Sequence, residues 1–337
     1  MESSQQLRSN IEARREALKE NTPDKSPKDT ALSWNALGNN FATLAVTEDK
    51  ANNCRLAIDA YNEALKVFTP EEYPVEYAMV WNNLGNTYST LAEAEDRREN
   101  CHLAIAAFDR ALEIRTWDKY PEDYAQTQNN LAITYHALAE VEMRSENCRK
   151  AIEAYDEALK VYTPEKYPEE YARTQGNRGM AYQTYGFEMS RDSADFYPHR
   201  CRQAVDAYKE ALKVFTPEQY PLDYANMQGR LGTAYHTLAR HGRNPEDCRH
   251  AAEAYQDALK IFTLSQYPEQ YAYTQMNLGY LYRTFSQIEE KSENSKRAIE
   301  AYREAMTVYS RDNYPEMYDD LQECIDNLIT GKNENIF

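Results

Sequence analysis

The chain has 337 residues, with 55 acidic side chains against 38 basic ones and a net charge of -17. That balance argues against a nucleic-acid binder, whose phosphate contacts want a basic surface, and favours partners that are basic, polar or apolar. No apolar run approaches the roughly 18–20 residues of a membrane span, and the opening MESSQQLRSNIEARREALKE holds no hydrophobic segment of the signal-peptide kind.

In chain order, residues 1–25 come first, and IEARREALKENTP (11–23) reads as the second half of a unit whose complete copies follow. Their marker is Tyr-Pro-x-x-Tyr, at Tyr73, Tyr120, Tyr167, Tyr220, Tyr267 and Tyr314, in steps of 47, 47, 53, 47 and 47. SPKDTA at Ser26 is a worn copy of YPEDYA. Six repeats therefore span 26–72, 73–119, 120–166, 167–219, 220–266 and 267–313, and YPEMYDDLQECIDNLI opens a capping helix and tail at 314–337.

Each repeat reads as two helices, A then B. In the third, Pro121 with the acids behind it suits a first helical turn, and Leu131, Tyr135 and Leu138 share one face. Helix B is expected to start near Asn147, with Cys148, Ile152, Tyr155, Leu159 and Tyr162 as its apolar stripe and Glu153, Asp156, Glu157 and Lys160 on the wet side. Thr163-Pro164 should end it, because a residue before proline is pushed out of the helical region. Neither helix can bury its stripe alone, whereas stacked units can.

Helix B carries Ala151, Ile152, Tyr155, Ala158 and Leu159 followed by Pro164, and helix A carries Trp81, Leu84, Gly85 and Tyr88, or Trp34, Leu37, Gly38 and Phe41. The pattern resembles the tetratricopeptide repeat, TPR, over essentially the whole chain. About 13 residues beyond the family's usual 34 lengthen both helices and the turn after helix A, as in long repeats of bacterial and archaeal signalling proteins. The resemblance implies an all-α fold, a right-handed α-solenoid of antiparallel helix pairs with about 14 helices, and the work of a protein-interaction scaffold.

Five cysteines, Cys54, Cys101, Cys148, Cys201 and Cys248, share one repeat position, with Ser295 in the sixth copy. Equivalent positions lie roughly 16–20 Å apart by helix packing, whereas a disulfide needs Cα atoms within about 7 Å. The thiols are expected to be buried and apolar in a reducing, cytoplasmic setting, and most tyrosines to pack one unit on the next, their hydroxyls on backbone or water. No glycine-rich phosphate loop is present. His136 and His236 stand two repeats apart, too far to share a metal, and His199 beside Cys201 is a slight hint of a nucleophile pair in a structural register. The expectation is no enzyme, no cofactor and no metal.

Charge is distributed unevenly. From Ala31 to Thr47, Ala78 to Ala92 and Ala125 to Ala139 no side chain is charged, and the later A helices hold arginines but no acid in their middles. In the resembled family helix A lines the concave groove. By helical period the groove face reads Asn35, Asn39, Asn82, Asn86, Asn129 and His136 toward the N-terminus. Toward the C-terminus it reads Gln183, Thr233, His236, Tyr280 and Arg283, with Arg173 and Arg230 at its edge. Amides can grip a peptide backbone, and arginines favour a carboxylate. The family's chaperone-tail clamp is matched only in its asparagines, at Asn39, Asn83 and Asn86, so no such clamp is expected.

Two explanations of the neutral face stay open at this point: packing alone, or a groove that receives a polar or acidic protein segment. Two other functions stay open too, a homo-oligomer stacked end to end through its half units and a regulatory sensor subunit of a signalling or protease complex. The fourth repeat is longer by six, within GFEMSRDSADFYPHR (186–200), where Phe196, Tyr197 and Pro198 would supply an apolar anchor or the insertion would be neutral.

Overall fold

The computed structural model describes residues 4–20, 26–188 and 196–331. The insertion expected at 186–200 falls largely outside them: residues 189–195 and the side chains of 186–197 are not among those described. The described residues form fourteen helices and no strand. The A helices are α2 (Pro27–Leu44), α4 (Pro74–Ala92), α6 (Pro121–Leu138), α8 (Pro168–Glu188), α10 (Pro221–Gly242), α12 (Pro268–Ser286) and α14 (Pro315–Thr330). The B helices are α1 (Ser4–Glu20), α3 (Lys50–Leu65), α5 (Arg97–Leu112), α7 (Arg144–Leu159), α9 (Phe196–Leu212), α11 (Pro245–Leu259) and α13 (Lys291–Met306). The fold is all-α, with each A helix from α2 to α12 packed on the B helix that follows it, the arrangement of an α-solenoid. Residues 1–162 and 163–337 form two compact units.

Tyr-Pro-x-x-Tyr builds six of the seven A-helix starts, and Ser26-Pro27 builds the first. The proline takes the first helical position, where its missing N–H costs nothing. The preceding tyrosine sets its ring edge-on against an aromatic just past the previous B helix: Phe68–Tyr73 at 5.6 Å, Phe215–Tyr220 at 5.4 Å and Tyr309–Tyr314 at 5.2 Å. In the third to sixth repeats the second tyrosine donates its hydroxyl to an acid of its own B helix, as in Tyr124 to Glu157 at 2.8 Å and Tyr271 to Glu304 at 2.7 Å. Burial and that carboxylate push the Tyr124 phenol up to about 12. These hydroxyls thus meet carboxylates within a repeat, where the sequence suggested backbone or water between repeats.

The helix pair closes over a missing side chain. A Cβ built on Gly38, Gly85, Gly179, Gly232 or Gly279 would come within 2.5–2.8 Å of the ring of Tyr61, Phe108, Tyr208, Tyr255 or Tyr302. These rings are almost wholly buried. In the third repeat Ala132 stands at this position opposite Tyr155, both buried.

Helix B starts earlier than its asparagine suggests. α7 begins at Arg144, three residues before Asn147, after a left-handed residue, Met143 at φ 41°. The buried Asn147 reaches back to donate to the Glu142 carbonyl at 2.7 Å, and Asn53, Asn100 and Asn294 do the same to Glu48, Glu95 and Glu289. The asparagine therefore closes the turn from inside the helix. α7 also ends at Leu159, four residues before Thr163, because the chain turns through Lys160 and Val161 first. Exposed ion pairs join successive units at this edge, as in Lys50–Glu93 at 2.7 Å, Arg98–Glu142 at 3.1 Å and Arg249–Glu289 at 2.5 Å. Each contributes little alone.

Candidate binding face of the A helices

The A-helix face read from the helical period consists of three columns, the residues one, five and eight after the position held by Trp34, Trp81, Gln128, Gln175, Gln228 and Gln275, and they separate in the structure. The middle column is exposed at Asn39, Asn86, Ile133 and Thr233. The first column is turned inward: Asn35, Asn82, Gly176 and Met276 are buried, and Asn129 is half-buried. The third column is half-buried against the next A helix. Ser89 shares a hydrogen bond with Thr134 at 2.7 Å, and His236 Nε2 lies 2.9 Å from Thr284 Oγ1. His136 is half-buried as well.

The amide ladder is thereby spent on joining repeats. Asn83 donates to Asn35 at 3.2 Å and to Asn39 at 3.1 Å, and Thr127 donates to Asn82 at 3.1 Å. Tyr61 also donates to Asn39 at 2.7 Å. The reason is geometric: side chains lean toward the helix N-terminus, so the columns flanking the middle one meet the neighbouring A helix. A further column that reaches solvent lies two residues before the position held by Trp34, Gln128, Gln175, Gln228 and Gln275. It comprises Leu32, Gln126, Arg173, Asn226 and Tyr273.

The arginines take three different positions. Arg173 pairs with Glu169 one turn back on its own helix. Arg283 is half-buried, with Nη1 3.2 Å from Cys324 Sγ and its guanidinium 5.3 Å from the Tyr280 ring centre, while Tyr280 packs edge-on to Tyr302 at 5.4 Å. Arg283 and Tyr280 belong to the end of the stack and do not stand on an open face. Arg230 is exposed and makes no ion pair among the described residues.

Two recesses open on this side of the A helices. In unit 1–162 one of about 400 Å³ lies between α2 and α4, lined by Asn39, Thr43, Asn83, Asn86 and Thr90 with Tyr61. In unit 163–337 one of about 450 Å³ lies between α10 and α12. Gln183, Arg230 and Thr233 of the sequence-derived set line it. So do Asn226, Glu269, Gln270, Tyr273 and Asn277, and the aromatic side chains Tyr255, Phe262 and Tyr309 of the B-helix side. Gly229 leaves its wall open, since a Cβ there would meet nothing within 4 Å. Tyr255 shares a hydrogen bond with Thr233 at 3.0 Å, and Tyr208 donates to Gln183, so buried B-helix phenols orient the polar lining.

Sequence reasoning missed Tyr273, Asn226 and Phe262. The first two stand in the outward column two residues before the Gln position, a register visible only once the neighbour's place is known. Phe262 comes from beyond the end of α11. Glu269 also corrects the expectation of an acid-free face: the middles of the A helices lack acids, but the recess extends to the first turn of α12, where Glu269 accepts from Tyr314 at 3.1 Å.

The remaining chemistry is quiet. Cys54, Cys101, Cys148, Cys201 and Cys248 are buried and form no disulfide among the described residues, and burial pushes the Cys54 and Cys101 thiols up to about 11 and Cys248 to about 12, away from reactive thiolate. Burial, then Arg240 and Arg283, pull the His236 imidazole down to about 3, so it is neutral at ordinary pH. Among the described residues no cluster of three His, Cys, Asp or Glu is placed to hold a metal, and no helix is long and apolar enough to cross a membrane.

No family model and no curated protein matches the chain. Solved structures do. A thermophilic TPR protein of Thermus thermophilus is 16% identical with a TM-score of 0.43, over 74% of this chain and 98% of that one. BtubC from P. vanneervenii is 21% identical with a TM-score of 0.49, over 76% and 90%. The TPR2AB domain of yeast Sti1, solved in its pHSP90 complex, is 17% identical with a TM-score of 0.29, over 89% and 99%. These overlaps are loose, and the assignment rests on the chain's own repeats. Six helix pairs, five of them seating an aromatic ring of the second helix on a glycine of the first, give the chain a tetratricopeptide-like α-solenoid fold.

Proposed function

We propose that the chain is a non-enzymatic scaffold whose A-helix face takes up a segment of another protein, with the recess between α10 and α12 as its principal seat. The observation that carries the reading is that recess itself. Its volume of about 450 Å³ lies in the range of ligand sites. It combines aromatic walls, amides that can meet a peptide backbone, and one exposed cation, Arg230. A polar segment with an acidic residue fits: the acid reaches Arg230, and an apolar side chain enters the gap left by Gly229.

End-to-end stacking is the weaker reading, for a specific reason. An interior contact seats an aromatic residue on a glycine. At the chain's ends Asp326 occupies the position of Gly279, and Arg14 that of Tyr61, both exposed. In an end-to-end stack Asp326 and Arg14 would meet as an opposite-charge pair in place of a buried ring on glycine, which gives up packing for an ion pair of small net worth.

The test is fluorescence anisotropy with labelled peptides of matched length, acidic, neutral-polar and basic. The acidic set should bind most tightly. Arg230→Glu should weaken it by roughly ten-fold or more, as expected for a charge-assisted contact, and Gly229→Leu should block it, with the circular-dichroism melt unchanged. Indifference of all three sets to both substitutions would remove the recess from the function.

A further inference from the structure

The outer faces of the B helices carry an acid at two fixed repeat positions. The first holds Asp59, Glu153, Asp206, Glu253 and Glu300. The second, four residues later, holds Glu63, Glu157, Glu210, Asp257 and Glu304. Helix α5 breaks both rules, with Ala106 and Arg110. The turn after α5 also departs: Trp117 stands where Pro70, Pro164 and Pro217 stand elsewhere, and 58% of it is exposed. Leu103 is 38% exposed one turn before Ala106. Positions 103, 106, 110 and 113 advance by three or four and share one exposed face of α5, and the exposed Trp117 follows in the turn beyond its end. Asp109 remains at its flank.

We propose that this face is where a second copy of the chain docks, back to back about a twofold axis. A twofold contact must be self-complementary, residue i meeting j while j meets i. The helix satisfies that condition: Arg110 and Glu113, the latter still in helical geometry as the C-cap, lie equally far to either side of the point midway between Ala111 and Leu112. Antiparallel apposition about that point sets Arg110 against Glu113 of the second copy, with Leu103, Ala106 and Trp117 as the apolar surroundings of that pair.

The residues suit those places. The Arg110–Glu113 pair, 3.1 Å apart within one chain and about half exposed on both sides, can exchange partners at little cost. Ala106 keeps this face free of an outward acid, and the exposed indole of Trp117 is of the kind that anchors interfaces. Charge selects this face over the other B helices. Two copies of a chain with net charge -17 repel, and only α5 lacks both outward acids. This inference is independent of the A-helix recess.

Sedimentation velocity of the full chain from about 1 to about 100 µM reads the outcome directly. A reversible monomer–dimer equilibrium is expected. Ala106→Glu installs the acid at a position where the other repeats carry one, so it should leave the thermal melt unchanged while weakening the dimer by roughly ten-fold or more. Trp117→Glu should do the same. Arg110→Glu should weaken it, and Arg110→Glu with Glu113→Arg should restore it. A chain monomeric throughout the range overturns the proposal. So does a dimer indifferent to Ala106→Glu and Trp117→Glu, or a charge swap that fails to restore association.

Discussion

Tyr255 seats its ring over Gly232 so closely that a Cβ on the glycine would come within 2.8 Å of two ring carbons. The ring is 1% exposed, and its hydroxyl lies 3.0 Å from Thr233 in the recess lining. One contact therefore fixes both the crossing of α10 with α11 and the placement of a recess residue. Gly232→Ala should be unfavourable although alanine is the better helix former by about 1 kcal/mol. Overpacking a buried ring costs roughly 1–3 kcal/mol and outweighs that gain. Chemical denaturation should show a net loss of about 1 kcal/mol or more, and peptide binding should fall with it. A stabilised variant would mean that the ring has room to retreat; the third repeat already carries Ala132 at this position with Tyr155 buried on the facing helix.

His236 gives the unit formed by residues 163–337 a pH dependence of definite sign. Its ring is hydrogen-bonded to Thr284, and burial with Arg240 and Arg283 holds its pKa at about 3. The unfolded chain takes up this proton near pH 6.5. The contribution is thus complete above that value and is lost progressively as pH falls toward 3. Between pH 7 and pH 5 the loss should reach up to about 2 kcal/mol, from one and a half pH units at 1.36 kcal/mol each. Urea denaturation at the two values, for the native chain and for His236→Gln, isolates it. The difference between pH 7 and pH 5 should shrink in the variant. Equal differences would show that other groups carry the acid sensitivity.

Much of the fold is legible because the repeat writes it six times. The proline starts, the buried cysteines and the pairing of A with B follow from period and composition. Legibility stops where a residue's role depends on a neighbour 47 positions away. Asn147 marks a turn that its own helix has already left behind, because its side chain points backward to Glu142. On the A face, the helical period orders side chains around one axis but does not say which directions the flanking helices occupy. Asn35 and Asn39 are equally polar, yet one is buried and the other exposed. Arg230 and Arg283, both read from sequence as cations at or near the groove, differ for the same reason: Arg283 has α14 against it, where Cys324 meets its guanidinium.

The second repeat carries the clearest conflict between pattern and place. Where other repeats put Phe68, Tyr162, Phe215 or Phe262, it has Arg115, 7% exposed. The guanidinium donates to Thr127 at 3.1 Å and faces Asp123 at 3.3 Å, and Thr127 passes the chain on to Asn82. Burial pulls the Arg115 pKa down while Asp123 acts the other way. Removing one partner of such a pair leaves an uncompensated charge, whereas replacing the charge with an apolar side chain of similar size removes the desolvation cost. Asp123→Ala should therefore destabilise by about 1–2 kcal/mol, limited because the Asp123 side chain is 47% exposed. Arg115→Phe, which restores the repeat's own residue, should be neutral or stabilising, and should also abolish the effect of Asp123→Ala when the two are combined. A double-mutant cycle by urea denaturation decides it. If Arg115→Phe cost as much as Asp123→Ala, the polar chain through Thr127 to Asn82 would be a net support of the joint between α4 and α6, and the arginine would hold that joint by hydrogen bonding.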